Sequence, residues 1–345
     1  MPGTDGPAQA DEGKALPPPP SFGRQMAQLV IIPAVIVIAC LAMWMLFVGM
    51  AGGDEGVDAL LAKLRQSGGA GTIGYDIKDP RYQERSRAAY TLPAAIEREL
   101  KDADPQREAQ ISEALTEILD KHVAPHEDAL RRYLLIALGR LGQPEALPRI
   151  IAHLDADEDQ VRYGAIEALS LWPDEDAARA AVPGLIKALG ASNPQVRIGA
   201  AAVLGSIATP GSSGAIDALR QAMNDGSDTP PAVRQQAAIA LAQLGDERGG
   251  AFVAAVLLDR QAVAEHVATQ LPDGASEAQR RARTDELLLA SLASVIRPTR
   301  AMTQDVVWDK IQFLADDDPN LNIRGAAKKL LEQRDRLVQP ATDGR

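Results

Sequence analysis

The chain contains few of the residues from which most reactive sites are made. Its 345 residues include one cysteine, four histidines and only 3% aromatic residues. The single cysteine, Cys40, excludes a disulfide framework within one chain. The sequence has no glycine-rich phosphate loop, no Gly-x-Ser-x-Gly and no Cys-x-x-Cys-His haem motif. We therefore expect no catalytic site and no cofactor.

Candidate metal ligands are few and incomplete. The acidic run at 155–159 begins like a calcium loop, but the loop's sixth position lacks glycine and its twelfth lacks glutamate. His122 and His126 are four residues apart, with Pro125 between them and no third histidine or cysteine nearby. No metal site is predicted.

Composition also limits the fold and the partners. The net charge of -11 repels phosphate backbones and argues against nucleic-acid binding. Hydrophobic residues make up 46% of the chain, which is enough for a large core. Because aromatic residues are scarce, that core must consist of Leu, Ala, Val and Ile, which favours closely packed helices over a sheet.

One long apolar segment lies near the N-terminus. No charged residue occurs from Gln25 to Gly53, and Leu29–Met50 is almost wholly apolar. These 22 residues, at about 1.5 Å each in a helix, cover the roughly 30 Å hydrocarbon core of a bilayer. We predict a transmembrane helix within 25–53. The preceding residues 1–24, which include Pro17–Pro20, are predicted to form a disordered Pro/Gly-rich tail.

Two other interpretations of this segment remain open. Gly49-Met50-Ala51 has the small-x-small form of a signal-peptidase site, and Val37–Cys40 loosely resembles a lipobox. The apolar segment is longer than a signal-peptide core, which favours the membrane helix. Arg24 borders the uncharged segment, so we expect the large domain outside the cytoplasm, on the periplasmic side. The nearby basic residues are equal in number on the two sides, with Lys14 and Arg24 before the segment and Lys63 and Arg65 after it, so the opposite orientation, with the solenoid in the cytoplasm, stays open. Residues 54–78 are predicted to be a short amphipathic segment followed by a Gly-rich linker.

A nine-residue phrase recurs through the rest of the chain. In each copy an arginine follows an aliphatic residue and precedes a leucine by seven positions. The copies begin at Leu130, Val161, Val196, Val233 and Ile323, and Arg85 with Leu92 resembles a degraded first copy. The arginines of the first four copies are 31, 35 and 37 residues apart. A period of this size is typical of stacked helical repeats.

Shorter apolar segments at helical spacing lie between the phrases, at 147–154, 182–189 and 216–223. Each unit is therefore predicted to be helix A, a turn, and helix B carrying the arginine. Neither helix can bury its apolar stripe alone, so neighbouring units must stack. We predict an α-solenoid at 79–337 and a disordered tail at 338–345. The repeat pattern becomes irregular between 246 and 301, which indicates either an insertion or divergence of the repeat sequence.

These units resemble HEAT repeats of the short bacterial type, which also occur in phycobilin lyase proteins. Pro148 and Pro183 match the proline that bends helix A in that family. Asp157 followed by Val161-Arg162 matches its Asp…Val-Arg signature. The resemblance covers 127–245 and 302–335. It implies an all-α solenoid, it leaves the function open, and its lyase members imply chromophore attachment as an alternative activity.

The repeated arginines are interpreted as a structural ladder. Turn residues upstream of the arginines, namely Asp157, Asn193, Asp228 and Asp318, are the predicted partners in charge-assisted hydrogen bonds. The ladder comprises Arg131, Arg162, Arg197, Arg234 and Arg324.

The resemblance also implies that helix B lines the concave face of the array. The non-core positions of helix B are then the candidate contact surface for an extended peptide or a helix. They include Arg132, Ile136, Tyr163, Glu167, Ile198, Gln235 and Ile239. Together with residues 29–50, these features predict a membrane-anchored, non-catalytic scaffold that binds one or more protein partners.

Overall fold

The structure is a computed structural model that describes residues 56–66, 80–100, 105–121, 123, 127–224, 229–295 and 299–338. The chain divides into two units, 1–55 and 56–345. The first unit lies outside the described residues, and with it the predicted transmembrane helix at 25–53. Within the described ranges, no helix is both long and apolar enough to cross a bilayer.

The described part of the chain contains sixteen α-helices. They are α1 (Val57–Arg65), α2 (Pro80–Glu99), α3 (Pro105–Lys121), α4 (Asp128–Leu141), α5 (Leu147–Ala152), α6 (Asp159–Ser170), α7 (Glu175–Ala178), α8 (Val182–Ala188), α9 (Pro194–Ile207), α10 (Ser213–Asn224), α11 (Pro231–Gln243), α12 (Glu247–Leu258), α13 (Arg260–Ala268), α14 (Glu277–Ala293), α15 (Asp305–Asp317) and α16 (Leu321–Val338). Short 3-10 segments occupy Pro144–Ala146, His153–Asp155 and Arg179–Ala181.

Local capping chemistry fixes where several of these helices begin. Asn193 precedes α9, and its side chain accepts a hydrogen bond from the N–H of Gln195. Pro194 then occupies the first helical position, where a missing N–H costs least. Before α14, Ser276 and Gln279 form a reciprocal capping box. These capping residues can be recognised from the amino-acid sequence alone.

The helices form two layers, as the repeat pattern predicts. Helices α2, α4, α6, α9 and α11 are the B helices, and each packs against the next. Helices α1, α3, α5, α8 and α10 form the second layer, and each packs against the B helix of its own unit. Pro148 and Pro183 lie in the first turns of α5 and α8, directly after 3-10 segments, so helix A bends where the repeat pattern implies. The predicted all-α solenoid is confirmed.

The segment before the predicted array belongs to the array. Helix α1 buries Val57, Leu60, Leu61 and Leu64 against α2 and α3. Helix α1 is therefore packed into the helical array, N-terminal to the predicted start near Asp79. The predicted Gly-rich linker at 67–74 lies outside the described residues.

Glycine allows two B helices to approach closely. A Cβ at Gly139 of α4 would lie 2.4 Å from the backbone oxygen of Ala168 in α6. A Cβ at Gly164 of α6 would lie 2.9 Å from the Cα of Arg132 in α4. Side chains larger than hydrogen at these two positions would force α4 and α6 apart.

Two hydrophobic cores meet at α11. The first core extends from Val57 to Leu244, and the second extends from Ile239 to Leu330 around the fully buried Trp308. One face of α11 contributes Leu241 to the first core, and the opposite face contributes Ile239 to the second. The faltering rhythm at 246–301 thus coincides with a new core built by α12–α16.

Candidate functional site

Tyrosines concentrate on the first three B helices. Among the described residues they occur only as Tyr82 and Tyr90 on α2, Tyr133 on α4 and Tyr163 on α6. The rings of Tyr90 and Tyr133 meet edge to face, with centroids 5.6 Å apart and planes at 87°. Tyr90 is 67% exposed, which is unusual for a large side chain in a chain with so few aromatics. The two rings therefore contact each other across the interface between α2 and α4.

An arginine continues this surface from α4 to α6. The Nε and Nη2 atoms of Arg132 donate to Oε2 of Glu167, at 3.1 and 2.8 Å. The guanidinium carbon of Arg132 also lies 5.0 Å from the centroid of the Tyr163 ring, within cation–π range. We call Tyr90, Tyr133, Arg132, Tyr163 and Glu167 the tyrosine surface.

The tyrosine surface retains unused hydrogen-bonding groups. Within the described part of the chain, the hydroxyls of Tyr90, Tyr133 and Tyr163 make no hydrogen bond, and Nη1 of Arg132 donates to none. Tyrosine and arginine are the residue types most enriched at the energetic centres of protein interfaces.

The predicted contact residues separate into two groups. Arg132, Tyr163 and Glu167 are brought together in the tyrosine surface. Ile136 lies on α4 and Ile198 on α9, and both are partly exposed. The remaining two, on α11, are buried.

The prediction of Gln235 and Ile239 as contact residues is wrong. They are 6% and 4% exposed, because the second core packs on the side of α11 that carries them. Nε2 of Gln235 donates to Oε1 of Gln270, at 3.4 Å. The open strip of helix-B side chains therefore ends before α11.

The sequence interpretation missed Tyr90 and Tyr133. A signal for Tyr90 was present, since placing Arg85 at the second position of the phrase puts Tyr90 at the seventh, where Ile136 and Glu167 also stand. Tyr133 occupies the fourth position, which holds glycine in the copies on α6 and α9. No feature of the phrase itself indicates that a fourth-position side chain reaches the preceding helix.

Two arginines at the second position of the phrase connect one B helix to the start of the next. Nη1 of Arg85 in α2 donates to Oε1 of Glu127 at 2.6 Å, and Glu127 is the residue directly before α4. Nη1 of Arg131 in α4 lies 3.9 Å from Oε2 of Glu158, the residue directly before α6. These two contacts run between repeats, whereas the expected pairs lie within one repeat; Arg131 also lies 3.6 Å from Asp128 in its own helix.

Three of the expected pairs are accordingly wrong. Arg162 donates to Asp159 in its own helix, not to Asp157. Arg197 makes no ion pair among the described residues, and the side-chain oxygen of Asn193, its expected partner, accepts instead from the N–H of Gln195 and caps α9. The buried Asp318 accepts from Arg260, not from Arg324. The proposed partner of Arg234, Asp228, lies outside the described residues.

The pKa of Asp159, which pairs with Arg162, is lowered. The hydrogen bond from Arg162 holds the pKa of Asp159 below its ordinary value of 3.8, and a hydrogen bond involving Asn193 acts in the same direction. Desolvation opposes both. Asp159 thereby connects α6 to the turn that precedes α9.

A wide groove lies between α13, α14 and α15. Its volume is about 1210 Å³. Arg260 bridges Asp285 and Asp318 within it, and the ammonium of Lys310 lies 4.8 Å from the ring centroid of the exposed Phe313. Acidic and basic side chains line the groove in similar numbers, so it favours neither sign of ligand charge.

The described residues contain no group of three or more His, Cys, Asp and Glu side chains placed to hold a metal ion. In the acidic run, Asp155 pairs with Lys187 at 2.6 Å and Asp159 with Arg162. His122 and His126 lie outside the described residues.

Comparison with known proteins identifies the repeats. A family model described as HEAT repeats matches residues 112–182 and 182–271. A protein of Pseudanabaena tenuis, described as an uncharacterized phycocyanin operon protein Z, is 30% identical over 159 residues, which span 45% of this chain and 74% of that protein. The chain is a HEAT-repeat protein. Its HEAT match includes 246–271, where the sequence rhythm is weak.

Solved structures resemble the chain distantly. The structure of Kap121p bound to Nup53p aligns with 92% of this chain at 13% identity and a TM-score of 0.37. Human deoxyhypusine hydroxylase aligns with 81% of this chain and 96% of its own, at 19% identity and a TM-score of 0.28. This chain spans 40% of the length of Kap121p. These likenesses concern the helical fold alone.

Proposed function

We propose that this HEAT-repeat protein is a membrane-anchored scaffold that binds a protein partner through the tyrosine surface and performs no chemistry itself. The observation that carries the proposal is the cluster of the exposed Tyr90 with the partly exposed Tyr133, Arg132 and Tyr163 on consecutive B helices. Tyr133 and Tyr163 are partly buried and pack against the first hydrophobic core, whereas Tyr90 is 67% exposed. Exposed aromatic clusters rimmed by polar groups are typical of protein-binding sites.

The ladder supports this role mechanically. Arg85–Glu127 and Arg131–Glu158 connect successive B helices, so the tyrosines are presented on helices whose relative positions are fixed. A binding surface that is held in place loses less entropy when a partner docks than one carried on loops.

The anchor is supported by the sequence alone. Residues 29–50 are uncharged and long enough to span a bilayer, and Arg24, the nearest charged residue on their N-terminal side, favours a periplasmic location for the repeats. Fractionation of cells that express the full chain or a form lacking residues 1–53 tests this part. The full chain is expected in the membrane fraction and the shortened form in the soluble fraction; equal distribution of both would contradict the anchor.

Crosslinking in cells followed by affinity capture tests the scaffold. The full chain, the form lacking residues 1–53 and a Tyr90→Ala variant are compared. We expect a specific protein partner with the first two and its loss with Tyr90→Ala. A partner that survives Tyr90→Ala but is lost with residues 1–53 would place the interaction on the N-terminal segment and refute the proposal for the repeats.

The relative from a phycocyanin operon favours a second candidate, an accessory role in attaching a chromophore to a protein. A tetrapyrrole site requires aromatic and cationic side chains around a cleft, and the tyrosine surface offers three tyrosines and one arginine. Incubation of the purified chain with a bilin distinguishes the two. A coloured complex with shifted absorbance would support this candidate, and a colourless protein would discard it.

A further inference from the structure

We propose that the partner segment recognised by the tyrosine surface is an uncharged, proline-rich peptide in the polyproline II conformation, lying across α2, α4 and α6. This inference rests on the proposed scaffold function and names the chemistry of its partner. Three properties of the surface carry it: the spacing of its aromatic groups, its unused hydrogen-bond donors and its balanced charge.

The spacing comes from the repeat itself. The Tyr90–Tyr133 pair lies at the interface between α2 and α4, and the Arg132–Tyr163 pair lies at the next interface, between α4 and α6. Packed helices are about 8–10 Å apart. A polyproline II peptide presents the same face every three residues, or about every 9 Å, so its residues i and i+3 meet the two pairs in turn.

Other backbone conformations fit this spacing less well. A β-strand presents the same face every two residues, or about every 7 Å, which falls out of step with the helices. An α-helix is about 10–12 Å wide with its side chains and needs a deep groove. The tyrosine surface is a row of side chains projecting from helices in close contact, as the backbone contact at Gly139 shows, which suits a thin ligand.

The donors match the acceptors of such a peptide. Polyproline II has no internal hydrogen bonds, so its carbonyl groups remain free to accept. The hydroxyls of Tyr90, Tyr133 and Tyr163 and the Nη1 of Arg132 have no acceptor within the described residues. Tyrosine rings also supply flat apolar surface on which proline rings pack.

Charge complementarity favours a neutral peptide. Arg132 is neutralised by Glu167, and on the adjacent B-helix surface Nη1 of Arg140 lies 2.5 Å from Oε2 of Glu97. The surface therefore carries balanced charge on a chain whose net charge is -11. A strongly basic segment would be drawn to acidic regions elsewhere, and an acidic one would be repelled by the molecule as a whole.

Binding of a labelled decaproline peptide tests the inference. Fluorescence anisotropy is measured with the full chain, with Pro17–Pro20 replaced by serine in every protein compared so that they cannot compete. We expect saturable binding of decaproline, no binding of a glycine–serine decapeptide, and a Kd raised roughly ten-fold by Tyr90→Ala or Tyr163→Ala. Phe313→Ala is the matched control, since Phe313 is 52% exposed and lies on α15, outside the surface.

Each outcome decides a different claim. The inference is overturned if decaproline shows no binding at peptide concentrations up to roughly 1 mM. An equal loss with Phe313→Ala and Tyr90→Ala also overturns it. If decaproline fails while the cellular partner still requires Tyr90, the scaffold function stands and the partner has another chemistry. If the cellular partner also ignores Tyr90, both claims fail.

Discussion

The buried pair between Arg85 and Glu127 allows the sharpest test of how the repeats are joined. The two side chains are 3% and 4% exposed, and the Nη1–Oε1 distance is 2.6 Å. Glu127→Ala removes a carboxylate acceptor from the buried guanidinium of Arg85. Removing one partner of a buried pair costs about 3–5 kcal/mol. The side chain of Glu127 makes no capping hydrogen bond to α4, so loss of a helix cap does not add to this cost.

A matched control joins the same two helices at the surface. Glu97 of α2 and Arg140 of α4 are also paired, at 2.5 Å, but their side chains are 65% and 39% exposed. Glu97→Ala should cost about 0–1 kcal/mol, because water solvates the remaining charge. The double substitution Arg85→Met with Glu127→Leu should recover most of the stability lost in Glu127→Ala, since it replaces the buried charged side chains by apolar ones.

Urea unfolding followed by circular dichroism gives the free-energy differences, and amide hydrogen exchange locates them. We expect Glu127→Ala to speed exchange in α2 and α4 before the helices of the second core, because repeats are stabilised by their neighbours. Equal losses for Glu127→Ala and Glu97→Ala would refute the reasoning, since burial would then make no difference to the pair.

Three further predictions concern packing, acidity and the ladder. Gly139→Ala should destabilise the protein, because its Cβ would meet the backbone of the neighbouring helix at 2.4 Å, whereas Gly325→Ala, in open space within α16, should stabilise it by up to about 1 kcal/mol; thermal melts compare the two. The lowered pKa of Asp159 means that its stabilisation is present above the ordinary value of 3.8 and is lost as the pH falls through the lowered pKa, so Asp159→Asn should reduce the drop in urea midpoint on acidification. Arg197→Ala should cost less than about 1 kcal/mol, because Arg197 makes no ion pair among the described residues; a larger loss in urea unfolding would restore the ladder role assigned from the sequence.

The fold was largely predictable because its information is local and repeated. Apolar spacing and cap residues such as Asn193 and Ser276 specify individual helices, and the repeated phrase specifies how they stack. The packing of α1 and α11 was not predicted, because the local apolar pattern of a helix does not show which other helices its faces contact. Whether Ile239 faces solvent or a second core depends on helices that follow much later in the chain.

The site was predictable only in part, for a related reason. The positions of Arg132, Tyr163 and Glu167 within the phrase predicted that these residues lie on one face of the B helices, since helical geometry places such positions together. The same positions did not predict which acidic residue each ladder arginine pairs with. A guanidinium can reach residues before or after it in the chain, and the packing of the next repeat determines which carboxylate lies within reach. Glu127, for example, is 42 residues from Arg85.

A photo-crosslinking residue placed at position 90 tests most directly whether the tyrosine surface binds a partner. The same residue at Gln221, exposed on helix α10 of the other layer, serves as the comparison. After illumination in cells, we expect a discrete crosslinked species from position 90 and none from position 221. Equal crosslinking from both positions, or none from position 90 when position 221 gives a product, would contradict the assignment of this surface.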